Sequence, residues 1–323
     1  MVLAWLLAAA LAALVGVRAA GAERGTLLVL LVGALPLVLL PVYPLLLGAL
    51  LARRAALAAL GAGLAVAHVL VLAPSLGAAD LPPLRDSPRL RVVTANLYVL
   101  NPTFEAAGRA LRALRPDVLV VPELSEEGLQ GLRAAGLLDD LPYAVVRLGS
   151  REETVGLFSS RPLRQVSTRS AGGRELPRAT VVVDGVPVRL LAAHPLPPLP
   201  VLEDLWRASL QDLAAESAEV DLPLVVAGDL NADRDHALFR GLLDTGLRDA
   251  HDSVGRGLAR TWPSALPLLH LDHVLVRDGE GAQLAVTAVR EERIPGSDHR
   301  AVVADLAVLA SERGRTRGGQ PAP

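Results

Sequence analysis

The sequence predicts an α/β fold with mixed sheets, preceded by about three transmembrane helices. The first 75 of the 323 residues carry only five charged side chains, whereas charges are frequent and patterned after that point. From residue 90 onward, short apolar runs of strand length alternate with segments of helical periodicity. Short strands mixed with intervening helices are typical of an α/β sandwich with mixed sheets, and not of an all-parallel fold.

The N-terminal segment contains three apolar stretches, at about residues 3–17, 26–50 and 55–74. A helix needs roughly 20 apolar residues to cross a membrane, so the second and third stretches are long enough and the first is short. The first stretch can also be interpreted as the core of a signal peptide, although no basic segment precedes it. Prolines inside the second stretch predict a kinked helix. Residues 1–75 are therefore predicted to form transmembrane helices.

The rest of the chain divides into a linker, one α/β domain and a tail. We predict a proline-rich linker over residues 76–89, the domain over residues 90–310, and a disordered tail over residues 311–323. The linker predicts that the helices and the domain are separate units. The candidate strands are 90–94, 118–121, 143–147, 154–159, 179–183, 187–193, 224–227, 271–276, 283–289 and 301–306, and the candidate helices are 103–114 and 201–217.

Charge and cysteine content exclude or disfavour some classes of protein. Residues 76–323 contain 28 Arg and 33 Asp plus Glu, which gives a net charge of −5. Nonspecific nucleic-acid binding normally requires a basic surface, so this balance argues against a nonspecific nuclease. The chain has no cysteine, which excludes disulfides, thiolate metal sites and a cysteine nucleophile. The arginines that flank the apolar stretches do not settle which side of the membrane the domain faces.

Polar side chains follow three of the predicted strands at the point where each strand ends. Asn96 follows the first strand, and Glu123 ends the next apolar run. Asp229 and Asn231 follow the strand at 224–227, and because they are two residues apart on an extended segment they are expected to face the same side. Oxygen ligands of this kind suit a hard divalent cation. Each of these residues, taken alone, is also typical of a turn or a cap.

Two further groups of residues suggest proton transfer. Asp272 lies inside an apolar strand, and a buried strand seldom accommodates an Asp unless it is paired. Pairing with His299, which follows Asp298 near the last strand, would fix the tautomer of that imidazole. His194 ends one strand and Arg178 opens the strand before it. Alone, these two residues are more typical of a structural histidine and a solvated edge residue.

Taken in order, these residues resemble the motifs of the endonuclease/exonuclease/phosphatase superfamily. The ordered set Asn, Glu, His, Asp-x-Asn, Asp and Ser-Asp-His spans about residues 90–307. The resemblance implies a four-layer α/β sandwich with two mixed sheets and a single cleft. It also implies hydrolysis of a phosphate ester with Mg²⁺ (or Mn²⁺) as the cofactor. Pro122, His273 and Ala301 depart from the common pattern of the superfamily, and these departures affect the walls of the cleft and hence the substrate.

The resemblance also implies a role for each residue. The implied metal-binding residues are Asn96, Glu123 and Asp298. The implied catalytic residues are His194, Asp229, Asn231, Asp272 and His299. The implied substrate-binding residues are Arg178, Asn231 and Trp262. Within this set, Asp229 and the Asp272–His299 pair would align or activate the attacking water, whereas Asn231 and His194 would contact the scissile phosphate.

A narrower resemblance covers more of the chain. The apolar N-terminal segments, the stretch Thr94–Tyr98 and the later Thr261-Trp262-Pro263 are similar to membrane-anchored bacterial members associated with teicoplanin resistance. This resemblance implies a multi-pass membrane phosphoesterase with an extracytoplasmic domain and a lipid-linked phosphate or pyrophosphate, such as undecaprenyl pyrophosphate, as substrate. The alternatives are an anchored extracellular nuclease, a sphingomyelinase-like phospholipase and an inactive binding module on a membrane stem. Nothing in the sequence indicates an obligate protein partner.

Overall fold

The computed structural model describes residues 1–79, 87–147 and 154–310. Half of the predicted linker, residues 80–86, and the predicted disordered tail, residues 311–323, lie outside the described residues. The described part consists of an N-terminal group of apolar helices and an α/β sandwich.

Five helices and a short 3₁₀ turn form the N-terminal group. Two of the helices, α1 and α5, are long and apolar enough to cross a membrane, and a third span is possible if a bent pair of helices counts as one. The bend corrects the expectation of one kinked helix over 26–50, because the chain turns by 76° between Thr26–Gly33 and Leu35–Leu51. The elements are α1 Val2–Ala20, α2 Thr26–Gly33, α3 Leu35–Val38, α4 Val42–Leu51, α5 Ala55–Leu72 and the 3₁₀ turn Ala73–Ser75.

Prolines explain why the second apolar stretch breaks. Pro36 occupies the first turn of α3, and Pro41 is the residue that precedes α4. A proline has no backbone N–H and clashes with the preceding turn, so it is favourable at the start of a helix and unfavourable inside one. The stretch therefore forms separate short helices.

Two six-stranded mixed sheets form the sandwich, as predicted. The first sheet has the strand order β11-β12-β1-β2-β4-β3, and the second has the order β5-β6-β7-β8-β10-β9. Each sheet contains one parallel pair, β1 with β2 in the first and β7 with β8 in the second. The strands are β1 Arg89–Thr94, β2 Val118–Pro122, β3 Tyr143–Arg147, β4 Val155–Ser159, β5 Leu163–Ala171, β6 Arg174–Val183, β7 Val186–Ala193, β8 Leu224–Asp229, β9 Arg248–Asp249, β10 Asp272–Arg277, β11 Ala282–Arg293 and β12 Arg300–Ala310.

Helices cover the outer face of each sheet and complete four layers. Successive side chains of a strand point to opposite faces. Val92 therefore packs between the two sheets, and its neighbour Val93 packs beneath the helices of the first sheet. Trp206 and Phe239 pack in the same way beneath the helices of the second sheet. The helices are α6 Phe104–Ala113, α7 Glu126–Ala134, α8 Leu137–Asp140, α9 Glu203–Glu219, α10 Ala237–Leu243 and α11 Ala250–Ser253.

The apolar helices and the sandwich are in direct contact. Val29 of α2 belongs to the same apolar cluster as Trp206. Arg18 Nε lies 2.7 Å from Asp235 Oδ1, and the buried Glu23 accepts a hydrogen bond of 2.7 Å from the backbone N–H of Ala237. These contacts hold α2 against one edge of the domain.

Candidate active site

The two parallel strand pairs bring the polar strand-end residues to one edge of the sandwich. Asn96 and Glu123 follow β1 and β2 of the first sheet, and His194 and Asp229 lie at the ends of β7 and β8 of the second. Parallel neighbours end at the same edge, so each pair places its polar residues side by side. Because the sheets pack face to face, the two pairs meet across the top of the sandwich.

Asn96 connects the two sheets at this edge. Its Nδ2 donates hydrogen bonds of 2.9 Å to Glu123 Oε1 and 3.1 Å to Asp229 Oδ2. The backbone N–H of Val99 donates to the other oxygen of Glu123 at 3.0 Å. The amide of Asn96 therefore fixes the relative position of two carboxylates that come from different sheets.

The backbone at two of these residues is in the left-handed region. Glu123 has φ 52° and Asn231 has φ 47°. Such a conformation costs of order 1–3 kcal/mol for a residue other than glycine and occurs mainly at functional sites. At Asn231 the cost is partly offset because its N–H donates a 2.8 Å hydrogen bond to Asp229 Oδ1. Both side chains line the cavity.

Gly228 permits the close approach of β7 and β8 just before Asp229. Its φ is 153°, and a Cβ there would lie only 1.8 Å from the carbonyl oxygen of Ala193. No larger residue fits without separating the two strands. The glycine therefore sets the position of Asp229 relative to His194.

Asp272 and His299 are hydrogen-bonded, and His299 also faces Asp229. His299 Nδ1 lies 2.8 Å from Asp272 Oδ2, and its Nε2 lies 3.8 Å from Asp229 Oδ2. Asp272 is opposite Asp229 in the antiparallel register of β10 and β8, which brings the carboxylates together. Asp272 is fully buried, and its Oδ1 has no hydrogen-bond partner among the described residues.

The protonation of these groups differs from that of free side chains. Burial raises the pKa of Asp229 to about 7, against the opposing effect of His299. Burial lowers the pKa of His299, but the carboxylates of Asp272 and Asp229 have the larger combined effect and raise it to about 10. Near neutral pH, His299 is therefore an imidazolium, and Asp229 has the pKa expected of a general base.

The arginine that lines the cleft is Arg174, and not Arg178 as the sequence predicted. Arg174 Nη1 lies 2.6 Å from the carbonyl oxygen of His194 and 3.1 Å from its Nδ1, and both residues line the cleft. Burial and the guanidinium of Arg174 hold the pKa of His194 well below its ordinary value, so this imidazole is neutral. Sequence reasoning missed Arg174 because β6 begins at this residue, five positions before the predicted start at 179.

Arg178 does not reach the cleft, which corrects its assignment as a substrate-binding residue. It lies in the middle of β6, fully buried, and its Nη2 is 2.6 Å from Glu216 Oε2 on α9. Its Nη1 donates to the carbonyl of Ala192 at 2.7 Å. The side chain therefore joins the sheet to the helix that covers it.

Arg178→Ala is expected to lower the free energy of unfolding by about 3–5 kcal/mol, because it leaves the buried Glu216 carboxylate without its partner. Urea unfolding of the full chain in detergent measures the change. Arg164→Ala, at an exposed position of β5, is the matched control and should be nearly neutral. If Arg178→Ala instead had normal stability and a raised KM, Arg178 would be a substrate-binding residue as the sequence predicted.

Trp262 and Asp298 form the entrance of the site. Trp262 Nε1 donates a 3.1 Å hydrogen bond to Asp298 Oδ2, and the indole lies 6.4 Å from the His299 ring, centroid to centroid. Ser297 Oγ donates to the carbonyl of Asn96 at 2.7 Å and accepts from the N–H of His299 at 3.0 Å. The Ser-Asp-His segment is thereby attached to the Asn96–Glu123 pair.

The predicted site residues line one cavity of about 570 Å³, with the exception of Arg178 and the buried Asn96 and Asp272 behind the wall. The polar end contains Glu123, His194, Asp229, Asn231, Trp262, Asp298 and His299. Sequence reasoning missed the other end, which is formed by α2 and by the loop 196–199. Contacts between segments so distant in the chain leave no local pattern in the sequence.

The donor set at the polar end fits a hard divalent cation. Glu123 and Asp298 are half-buried carboxylates that face the cavity. Asn96, a predicted metal ligand, instead holds Glu123 through its Nδ2, and its Oδ1 accepts a hydrogen bond from the N–H of Tyr98. Oxygen-only ligands of this kind suit Mg²⁺ or Mn²⁺. Asp229, Asp272 and His299 also offer ligand atoms within 4.8 Å of one another. In that group, however, both imidazole nitrogens face carboxylates, which suits proton transfer.

Solved structures with a similar fold include both eukaryotic and bacterial proteins. A humanized TDP2 from D. rerio carrying 14 mutations has a TM-score of 0.56 at 18% identity, over 68% of this chain and 98% of that one. D. rerio TDP2 in complex with a single-strand DNA product has a TM-score of 0.55 at 17% identity, over 68% and 98% of the two chains. An endonuclease/exonuclease/phosphatase from Beutenbergia cavernae DSM 12333 has a TM-score of 0.52 at 22% identity, over 69% and 72%. At these identities the likeness establishes the fold alone.

A comparison by sequence identifies the family. No curated protein matches the chain. The sequence profile of the Endonuclease/Exonuclease/phosphatase family matches residues 93–299, a range that begins within β1 and ends at His299. This range is more than half of the chain and contains every strand-end residue described above. The chain therefore belongs to the Endonuclease/Exonuclease/phosphatase family.

Proposed function

We propose that the chain is a membrane-anchored phosphoesterase that uses a divalent cation to hydrolyse a lipid-linked phosphate or pyrophosphate, such as undecaprenyl pyrophosphate. The observation that carries the proposal is that one cavity has two kinds of wall. The catalytic side chains form one wall, and the apolar helix α2 forms another. A substrate with a phosphate head and an apolar tail matches both.

The apolar wall is partly exposed and belongs to the same group of helices as α1 and α5, which are apolar enough to cross a membrane. α2 contributes Thr26, Val29, Leu30 and Gly33, and the loop 196–199 faces them across the cavity. The side chain of Leu30 is 45% exposed. Covering apolar surface of this kind contributes roughly 25 cal/mol per Å². A hydrocarbon tail would gain this contribution, whereas a nucleic acid would not.

The residues of the polar wall support in-line attack of water on phosphorus. Asp229, held by Asn96 and by the N–H of Asn231, orients the water and accepts its proton. Asp272 holds His299 by its Nδ1, and the imidazolium faces Asp229 and the developing charge. A divalent cation held by Glu123 and Asp298, with Asn96 holding Glu123 in place through its Nδ2, would neutralise charge on the phosphoryl oxygens.

His194 and Asn231 are placed to contact the phosphate. The Nδ2 of Asn231 donates one hydrogen bond to the carbonyl of Pro195 at 3.0 Å and retains a second N–H for the substrate. His194 is neutral, and Arg174 beside it supplies a positive charge for an anionic head group. Trp262 at the entrance suits a position near a membrane interface.

We propose that the protein is a multi-pass protein of the cell membrane and that its domain lies outside the cytoplasm. The support is the apolarity of α1 and α5 together with the narrower resemblance to membrane-anchored bacterial members. Protease added to intact cells should cleave the domain. Protection of the domain in intact cells, with cleavage after lysis, would place it in the cytoplasm.

The nearest alternative function is a nuclease. A structure of D. rerio TDP2 holds a single-strand DNA product, and that protein shares the fold. The net charge of −5 over residues 76–323 disfavours nucleic acid, because phosphate contacts depend on basic side chains. A sphingomyelinase-like phospholipase would also use an apolar wall and is distinguished only by the head group.

The proposal is tested with the purified full chain in detergent, supplied with Mg²⁺. Undecaprenyl pyrophosphate, plasmid DNA and phospholipids, sphingomyelin among them, are assayed in parallel at equal phosphate concentration. We expect phosphate release from the polyprenyl substrate and little cleavage of DNA. Rapid DNA cleavage without phosphate release would support the nuclease, and phosphocholine release would support the phospholipase.

Leu30→Gln is expected to lower kcat/KM for the polyprenyl substrate about tenfold, because it removes roughly 1.4 kcal/mol of apolar contact with the tail. Hydrolysis of a small soluble phosphodiester should be unchanged. Leu27→Gln is the matched control, since Leu27 lies on the same helix, is 71% exposed and does not line the cavity. Equal effects of both variants would mean that α2 acts only as an anchor.

A further inference from the structure

A second cluster of buried ligand-type side chains lies on the other face of β10. Asp272 and His273 are adjacent on this strand, so His273 points away from the catalytic cleft. Its Nδ1 lies 2.5 Å from Asp249 Oδ2. One ligand atom each of Asp249, His270 and His273 lies within 4.8 Å of the others. The three residues are 3%, 6% and 1% exposed, so the cluster is an interior feature.

Two imidazole nitrogens, one in this cluster and one on the neighbouring His251, have no hydrogen-bond partner among the described residues. They are Nε2 of His270 and Nδ1 of His251. His251 is fully buried, and its Nδ1 lies 3.4 Å from Asp249 Oδ1 without forming a hydrogen bond. Buried polar atoms are rarely left without a partner, so two neighbouring ones indicate a site for a bound water or ion.

The remaining nitrogens of the cluster are arranged as they are around metal ions. His251 Nε2 lies 2.9 Å from Glu291 Oε1, and His273 Nε2 lies 2.9 Å from the carbonyl oxygen of Ala232. A histidine that binds a metal with one nitrogen commonly donates its other N–H to a carboxylate or a carbonyl. Glu291 and Ala232 supply such acceptors, and they orient both rings toward Asp249.

A small void adjoins the cluster. Its volume is about 20 Å³, and its walls include Asp249, His270 and His273. Such a void holds about one water molecule or one ion. Its walls also include Leu72 at the end of α5 and Ser75 of the 3₁₀ turn that follows, so it lies where the apolar helices meet the domain.

We propose that Asp249, His270 and His273, with His251 as the fourth ligand, bind a divalent transition-metal ion of the Zn²⁺ type. Three imidazoles and one carboxylate form a nitrogen-rich, four-coordinate donor set that suits Zn²⁺. The oxygen ligands of the catalytic cleft suit Mg²⁺ or Mn²⁺ instead. The two faces of β10 therefore carry sites of different metal preference.

The role of this second site is to position the catalytic strand. Its ligands come from β9, α11, the loop before β10 and β10 itself. A metal ion would join these four segments next to Asp272, whose carboxylate holds His299. The site does not depend on the identity of the substrate.

Cobalt spectroscopy of the full chain in detergent tests the proposal. The protein is stripped of metal, and Co²⁺ is added up to two equivalents. We expect the first equivalent to produce the intense visible bands of tetrahedral Co²⁺, and one equivalent of Zn²⁺ to abolish them. The bands should persist in Glu123→Ala, which lacks the catalytic metal ligand, and should be lost in His270→Ala.

The wild-type protein alone can contradict the proposal. Absence of tetrahedral bands, with no zinc retained after purification in the presence of zinc, would mean that the cluster is a network of imidazolium–carboxylate pairs. Bands lost in Glu123→Ala but retained in His270→Ala would assign the ion to the catalytic cleft. Circular dichroism checks that His270→Ala is folded, and His251→Ala, which keeps three ligands, should weaken Co²⁺ binding at least tenfold.

Discussion

Glu123→Ala is expected to reduce the turnover of any phosphate ester by at least about 10³-fold. Glu123 is the carboxylate that the hydrogen bonds from Asn96 and Val99 hold at the polar end of the cavity. In the proposed mechanism Glu123 binds the catalytic cation, and losing that ligand removes charge neutralisation in the transition state, which is worth several kcal/mol. The rate of phosphate release at saturating Mg²⁺ measures the effect.

The matched control for this variant is Glu127→Ala, an exposed glutamate in the first turn of α7. Its turnover should equal that of the wild type. The fold of Glu123→Ala should also be intact, because the side chain is half-buried and lies outside the apolar layers. Full activity of Glu123→Ala in the presence of EDTA would exclude the metal-dependent mechanism.

Asp229→Asn and His299→Ala are each expected to reduce turnover by about 10²–10⁴-fold, the range typical of a lost general acid or base. Asp229→Asn should remain folded, because the hydrogen bond that it loses at one oxygen is offset by relief of the buried charge. Burial raises the pKa of Asp229 from its ordinary value to about 7, so the folded state favours the protonated carboxyl. Ionisation then opposes folding progressively as the pH rises from about 3.8 to about 7, and an uncharged Asn removes that effect.

Thermal unfolding and turnover are measured together for each variant. Asp244→Asn, at an exposed residue after α10, is the control and should change neither quantity. Near-normal turnover in Asp229→Asn or His299→Ala would remove that residue from the catalytic set. Unfolding of either variant would show that its role is structural.

Much of the polar end of the cavity could be predicted because its residues follow local rules. Apolar runs that stop at Asn96, Glu123 and Asp229 mark strand ends, and parallel pairing brings such ends together. Because a buried carboxylate needs a partner, the sequence predicted that Asp272 pairs with a histidine. In the structure, His299 Nδ1 lies 2.8 Å from Asp272 Oδ2. The predicted mixed sheets and α/β sandwich are confirmed, because short apolar runs are a local pattern that indicates strands.

The parts that could not be predicted depend on contacts across the chain or on weak local patterns. Strand β5 was missed because it is an edge strand whose side chains are mostly exposed, so its sequence lacks a buried stripe. The interpretation of Arg178 was wrong because nothing local distinguishes it from Arg174, and only packing against Glu216 on α9 determines which arginine is buried. The apolar wall requires α2 to reach the domain through Arg18 and Glu23.

The central claim is that one cavity binds both a phosphate head and an apolar tail. The most direct measurement compares kcat/KM of the full chain for a long polyprenyl pyrophosphate and for a water-soluble short-chain analogue with the same head group. Because each buried CH₂ contributes about 0.8 kcal/mol, contact with roughly four methylenes predicts a preference of about 200-fold for the long chain. Equal values for the two substrates would contradict the account, because the α2 wall would then take no part in recognition.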